Sequence, residues 1–186
     1  MNLLAIDLGA ESGRSILGTL KDDKIELKEL TRFPTGINQI RGRSHWDVVR
    51  LFEEMKKALS YCAHKENIKI DAFGIDTWGV DFGLFAKDGT MLSTPYAYRD
   101  AHTNGILEKA FKVMPREKIY EFTGIQLMQF NSIFQLYAMK LNKSPLFDVT
   151  DKLLFIPDIF NYWFTGEKKC DFSFATTSQL YNPKRK

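Results

Sequence analysis

The opening run Asn2-Leu3-Leu4-Ala5-Ile6-Asp7-Leu8-Gly9-Ala10-Glu11-Ser12-Gly13-Arg14 constrains the fold more than any other stretch. It is a short apolar segment with an acid near its C-terminal end, and it stops at small residues. That pattern predicts a buried strand entering a tight turn. Two further β-leaning runs, 14–20 and 24–33, are separated by the polar turn Lys21-Asp22-Asp23-Lys24. Three sequential antiparallel strands are the simplest outcome. The hydrophobic period then changes. Val48, Phe52, Met55, Leu59 and Cys62 step by three and four, which predicts a helix over about 46–64, with Ser44 and Asp47 at capping-box spacing ahead of it. Ala72-Phe73-Gly74-Ile75-Asp76 returns to strand character and is expected beside the first strand. Val80, Phe82 and Leu84 alternate with Asp81, Gly83 and Phe85 as another strand ending at Asp88-Gly89. Helical stretches are expected at 116–122, 132–141 and 157–164, with Thr123-Gly124 and Thr165-Gly166 at helix ends. Strands followed by a helix and a returning strand predict an α/β fold, a mixed sheet with flanking helices.

Composition narrows the function. A chain of 186 residues with 44% apolar residues and 15 Phe can bury one substantial core, so one domain, or one lobe of something larger, is expected. The excess of 26 Lys plus Arg over 23 Asp plus Glu is too small and too scattered for a polyanion partner, so nucleic acid is not expected. Cys62 and Cys170 form no ligand-spaced pair and the three histidines do not cluster, which argues against a structural metal or a disulfide framework. A reduced, cytoplasmic setting is expected. Asp7 interrupts the N-terminal apolar run, and no stretch reaches the roughly 18 apolar residues of a membrane span, so no membrane association is expected. The basic end Pro183-Lys184-Arg185-Lys186 reads as a solvated terminus.

Two clusters carry chemistry. At the first turn, backbone N–H groups, the glycines at 9 and 13, the Ser12 hydroxyl and the Arg14 guanidinium suit phosphate oxygens, and Asp7 suits Mg²⁺. A plain glycine hairpin whose Asp caps the turn accounts for an isolated D-x-G equally well. There is no Gly-Lys dipeptide and no G-x-G-x-x-G, so any nucleotide is held by hairpins. In the second cluster, Asp76-Thr77-Trp78-Gly79-Val80-Asp81 offers a sugar an aromatic plate and carboxylates. A core aromatic and a turn acid explain Trp78 and Asp81 as well. Tyr98-Arg99-Asp100, with Thr103, adds a dense polar group on an expected loop, and a surface ion pair of Arg99 is the plainer alternative.

In order along the chain, DLGAESGR at 7–14, IDTWGVDFGLF at 75–85, AYRDAHTNG at 97–105, TGIQLMQFNSIFQL at 123–136, IPDIFNYWFTG at 156–166 and ATTSQLYN at 175–182 resemble the FGGY carbohydrate kinases, and within that family its rhamnulokinase branch most. The resemblance implies a ribonuclease-H-like lobe of the actin-like ATPase fold. It implies that Ala10, Glu11, Ser12, Gly13 and Arg14 contact ATP phosphates, that Asp7 serves the magnesium site, and that Gly79 lines a ketose site with Trp78, Asp81, Arg99 and Phe130 near it. Other members carry a charged pair where Gly79-Val80 stands. The implied reaction is transfer of the ATP γ-phosphoryl group to the 1-hydroxyl of L-rhamnulose. A fuculose or xylulose kinase is the alternative within the family, and a catalytically silent actin-like lobe is the alternative outside it. Full-length members extend far past residue 186 and carry the general-base aspartate and a second lobe there. The resemblance therefore implies a truncated N-terminal domain over 1–186, without the base and inactive alone.

Overall fold

A computed structural model describes residues 1–185; Lys186, the last residue of the basic end, lies outside the described residues. The chain divides into two compact units, one of Met1–Ile37 with Asp47–Trp78 and one of Asn38–Trp46 with the chain from Gly79 onward.

The first unit is built on the three expected strands. β1 (Asn2–Leu8) pairs antiparallel with β2 (Ser12–Lys21), which pairs antiparallel with β3 (Lys24–Pro34). Asp22 and Asp23 both take positive φ, 50° and 59°, in the two-residue turn between β2 and β3. Aspartate tolerates that conformation, and its backbone twist matches the strands it joins. After Ile37 the chain belongs to the second unit for a short hairpin without a clear sequence signal, β4 (Ile37–Ile40) and β5 (Arg43–Trp46), turning at Arg41 and Gly42 with φ 50° and 75°, and from Asp47 it belongs to the first unit again. Then comes α1 (Val48–His64). Its cap is Asp47 alone, whose carboxylate accepts the Arg50 N–H at 3.1 Å, whereas Ser44 sits inside β5 and takes no part in the expected box. The fully buried stripe is Val48, Leu51, Met55, Ala58 and Cys62; Phe52 and Leu59, expected at its centre, flank it half-buried. β6 (Ala72–Thr77) lies parallel to β1, giving the sheet order β3-β2-β1-β6. Leu4, Ile6 and Leu8 form the buried side of β1, while Leu3, Ala5 and Asp7 lie on the more open side.

The second unit contains β7 (Phe82–Phe85). Four of its helices follow: α2 (Ile106–Phe111), α3 (Arg116–Thr123), α4 (Ser132–Leu141) and α5 (Leu146–Val149). β8 (Lys152–Phe155), α6 (Ile156–Thr165) and α7 (Phe172–Thr177) complete it. Gly124 and Gly166 end α3 and α6 in the left-handed conformation, as expected. β7 pairs antiparallel with β8 in a separate two-stranded sheet. All four residues of β7 are buried rather than alternating, and Val80 falls outside the strand. The pairing puts Phe82 and Leu84 in a core with Met139 and Phe155, and a second core gathers Ile106, Ile119, Phe134 and Ala138. No helix among the described residues is long and apolar enough to cross a membrane.

Candidate functional site

In the first unit, the turn between β1 and β2 is closed by the Gly9 N–H donating to Ser12 O at 2.9 Å. Thr35, fully buried after β3, braces it from behind: its N–H donates to Glu11 O at 3.0 Å and its hydroxyl to Gly9 O at 2.6 Å. Thr35 is in turn held by Arg50 of α1, whose guanidinium donates to Thr35 O and, at 3.0 Å, to Pro34 O. Neither Thr35 nor Arg50 had a sequence signal, because their roles depend on β3 and α1 meeting the turn. Ala10 and Ser12 are half-buried and Glu11 exposed on this braced loop. Gly13 is different. It is buried in β2 opposite Leu8, and a Cβ there would stand 2.5 Å from the Phe33 ring and 2.6 Å from Leu8. Packing against Phe33 and Leu8 by itself requires a glycine at this position.

Asp7 and Arg14 are register partners across β1 and β2, and Nε and Nη2 of Arg14 reach Asp7 Oδ2 at 2.8 and 2.7 Å. Asp76 is the register partner of Asp7 on the other side, in β6. The sheet thus sets a row of Arg14, Asp7 and Asp76 beside the turn, although the sequence had suggested Asp76 only as a sugar carboxylate. Two neighbouring carboxylates are a hard-oxygen donor set that fits Mg²⁺. Among the described residues no group of three or more His, Cys, Asp or Glu side chains could hold a metal. Trp78 closes this unit, half-buried, with its carbonyl accepting the Thr77 hydroxyl at 2.8 Å.

In the second unit, Asp81 lies in the interior, only 1% exposed. Its Oδ2 accepts the Trp46 indole N–H at 2.6 Å and the Tyr98 N–H at 3.0 Å, and its Oδ1 accepts the Gln135 amide at 2.8 Å. These bonds fix an aromatic series, Trp46 against Tyr98 with ring centroids 6.2 Å apart and Tyr98 against Phe130 at 5.6 Å. Arg99 is exposed and stacks its guanidinium over Tyr98, Cζ to centroid 5.5 Å. The structure therefore brings Arg99 and Phe130 together through Tyr98 and puts Asp81 beneath them as their support.

Asp100 and Thr103, expected on a polar loop, are buried. Asp100 accepts the Ser44 N–H at 2.7 Å, and the N–H and Nδ1 of His102 at 2.7 and 2.9 Å, which latches the 97–104 loop to β5. Burial pushes the Asp100 carboxyl up, but these donors outweigh it and hold the group below the usual carboxylate range. His102 is held below the ordinary imidazole range, mainly by burial, against the opposing pull of Asp100. Its ring stacks on Tyr96 at 4.5 Å.

The first unit thus carries a braced turn with an Arg14, Asp7 and Asp76 row beside it, and the second unit an aromatic and guanidinium cluster over Asp81. The family model for the FGGY family of carbohydrate kinases, N-terminal domain, matches residues 2–186, and the chain belongs to that family. It is 43% identical over 181 residues to the rhamnulokinase of Bacteroides thetaiotaomicron, covering 97% of this chain and 37% of that protein. To the rhamnulokinase of Halalkalibacterium halodurans it is 41% identical over 179 residues, covering 96% of this chain and 38% of the relative. The chain thus spans under two-fifths of the length of these relatives. Among solved structures, a ligand-bound xylulose kinase from Lactobacillus acidophilus superposes over 99% of this chain and 37% of its own, with TM-score 0.84 at 19% identity. A xylulose kinase from Rhodospirillum rubrum gives the same TM-score, 0.84, at 16% identity over 99% of this chain and 38% of its own. The fold is that of the FGGY sugar kinases.

Proposed function

We propose that the protein containing this chain transfers the γ-phosphoryl group of ATP to the 1-hydroxyl of L-rhamnulose, in the cytoplasm where ATP is supplied. The observation that carries the choice of sugar is 43% identity over 97% of the chain to a protein named a rhamnulokinase. Phosphoryl transfer is mostly positioning and charge stabilisation, and the braced turn suits both. Backbone N–H groups from Ala10 to Gly13 orient the phosphates, with the Ser12 hydroxyl as a further donor. Arg14 exchanges its Asp7 partner for a phosphoryl oxygen. Asp7, with Asp76 beside it, would hold Mg²⁺, which when bound would supply neutralisation of phosphate charge. In the second unit, Gly79 leaves room for the ketose, and Phe130, Tyr98 and Arg99 offer it an apolar wall and a charged donor. Proton abstraction from the sugar falls to a base in the remainder of the full-length protein, so the 186-residue chain alone is expected to give no turnover.

An ADP-release assay on the full-length protein with L-rhamnulose, L-fuculose, D-xylulose, gluconate and glycerol tests this. The highest kcat/KM is expected for L-rhamnulose. A preference for another of these sugars overturns the substrate, and ATP turnover with none of them overturns the kinase reading.

A further inference from the structure

A strained turn sits where the sugar-facing residues of the second unit meet. Val80 has φ 68°, a left-handed conformation that a β-branched residue rarely takes. The Asp81 N–H donates to Gly79 O, two residues back, at 2.9 Å. Together these define a γ-turn of the left-handed, strained kind. Such a conformation persists only where its surroundings over-determine it, and such sites cluster where ligands bind. Two buried side chains at the start of α4 supply the restraint. The Ser132 hydroxyl, fully buried, donates to Val80 O at 2.5 Å. The Gln135 amide, 2% exposed, donates to Asp81 Oδ1 at 2.8 Å and to Phe130 O at 2.9 Å, with Val80 O farther off at 3.5 Å. One amide therefore ties the turn, the loop that carries Phe130 and, through Asp81, the Tyr98 backbone. On the far side of the turn a Cβ at Gly79 would meet the Thr177 hydroxyl at 3.4 Å, so the place of Gly79 sets how much room remains there.

We propose that Ser132 and Gln135 are positioning residues for the sugar: they clamp the Val80 turn and thereby fix Gly79, Phe130 and the Tyr98–Arg99 pair relative to one another. This inference rests on the sugar-site reading above. Neither residue touches the substrate; both act through the turn. Loss of either clamp loosens ground-state sugar binding and leaves the phosphate hairpin, in the other unit, as it was.

The test compares Ser132→Ala, Ser132→Thr, Gln135→Met and Gly79→Arg in the full-length protein, with KM measured separately for L-rhamnulose and ATP. Ser132→Ala and Gln135→Met are each expected to raise the ketose KM by about tenfold or more while the ATP KM stays put, and Ser132→Thr, which keeps the hydroxyl, is expected to recover most of the loss. A wild-type ketose KM in the folded Ser132→Ala and Gln135→Met proteins overturns the clamp, as does a fall in kcat alone. Gly79→Arg separates this failure from that of the underlying reading. If it abolishes ketose binding while the clamp variants are normal, only the clamp is wrong; if it too leaves the ketose KM unchanged, the sugar site is misplaced. A measurement on the unmodified 186-residue chain needs no variant to fold: the Asp81 amide is expected to exchange with solvent as slowly as the amides of α4, and exchange at loop rates overturns a clamped turn.

Discussion

Arg14 illustrates how far a residue's role depends on its register partner. In sequence it is a basic residue after a glycine; opposite Asp7 it becomes a cation held in place beside the β1–β2 turn. In the full-length protein, Arg14→Ala is expected to lower kcat and kcat/KM together by about tenfold to a hundredfold, the scale of a lost charge-assisted hydrogen bond of roughly 1.5–3 kcal/mol. The ketose KM should barely move, and steady-state kinetics with the sugar varied checks both halves. His102 has the opposite history, since nothing in its spacing marked it and only the fold buries it against Asp100 and Tyr96. Because its folded-state value lies below the ordinary 6.5, the unfolded chain binds a proton that the folded chain refuses. The stability contributed by neutral His102 is therefore complete above about pH 6.5 and is lost as pH falls through the lower folded value. Denaturation midpoints measured from pH 7 down to about pH 5 should decline in the wild type and decline less in His102→Gln. The strands that carry Arg14 and Asp7 were legible from their apolar pattern, whereas the ion pair across them follows only once the hairpin sets the register. The latch around Asp100 was not legible, because it joins residues 44 and 100 across a distance that no local pattern encodes.

Among the elements, the long periodic ones were the legible ones. β1 to β3, α1, β6, α3, α4 and α6 each repeat an apolar position often enough to declare a period. β4, β5, β8 and α5 are four residues long, too short for a period, and each strand among them is set by its partner. β7 was legible as a strand, but its expected alternation from Val80 does not hold, since all four of its residues are buried. Its apparent alternation began at Val80, which belongs to the turn, and Gly83 packs within 3.0 Å of Ile159, counting from where a Cβ would stand. The buried glycine of β2 gives a test at this scale. Gly13→Ala should destabilise the first unit by about 1–3 kcal/mol, the usual cost of overpacking, because both neighbours are core side chains rather than mobile chain ends. Urea unfolding of the two proteins should show this as a lower midpoint at an unchanged slope.

At the scale of the whole molecule, the division into two units escaped notice because the chain passes between them at residues 37–38, 46–47 and 78–79 without a Pro-, Gly- or Ser-rich linker. The family was legible nonetheless, since its motifs keep their order whichever unit they fall in. The outer strands of the four-stranded sheet carry a practical consequence. At one border β3 displays Lys24, Glu26, Lys28, Glu29 and Arg32, mixed charge that disfavours annealing of another chain and stands among the exposed Ile25 and Leu27. At the other border β6 reads Ala-Phe-Gly-Ile-Asp-Thr, with one charge, and it is the last strand in the order among the described residues. At high concentration the sticky border should be the second one. Gly74 offers a place to screen it, since no atom lies within 4 Å of where its Cβ would stand. Gly74→Lys should lower light scattering by concentrated samples of the 186-residue chain while leaving the denaturation midpoint within about 0.5 kcal/mol of the parent. Undiminished scattering would place the adhesion elsewhere. Handling of this chain in the test tube, its shelf life and its yield, is then expected to follow from the six residues of one border strand.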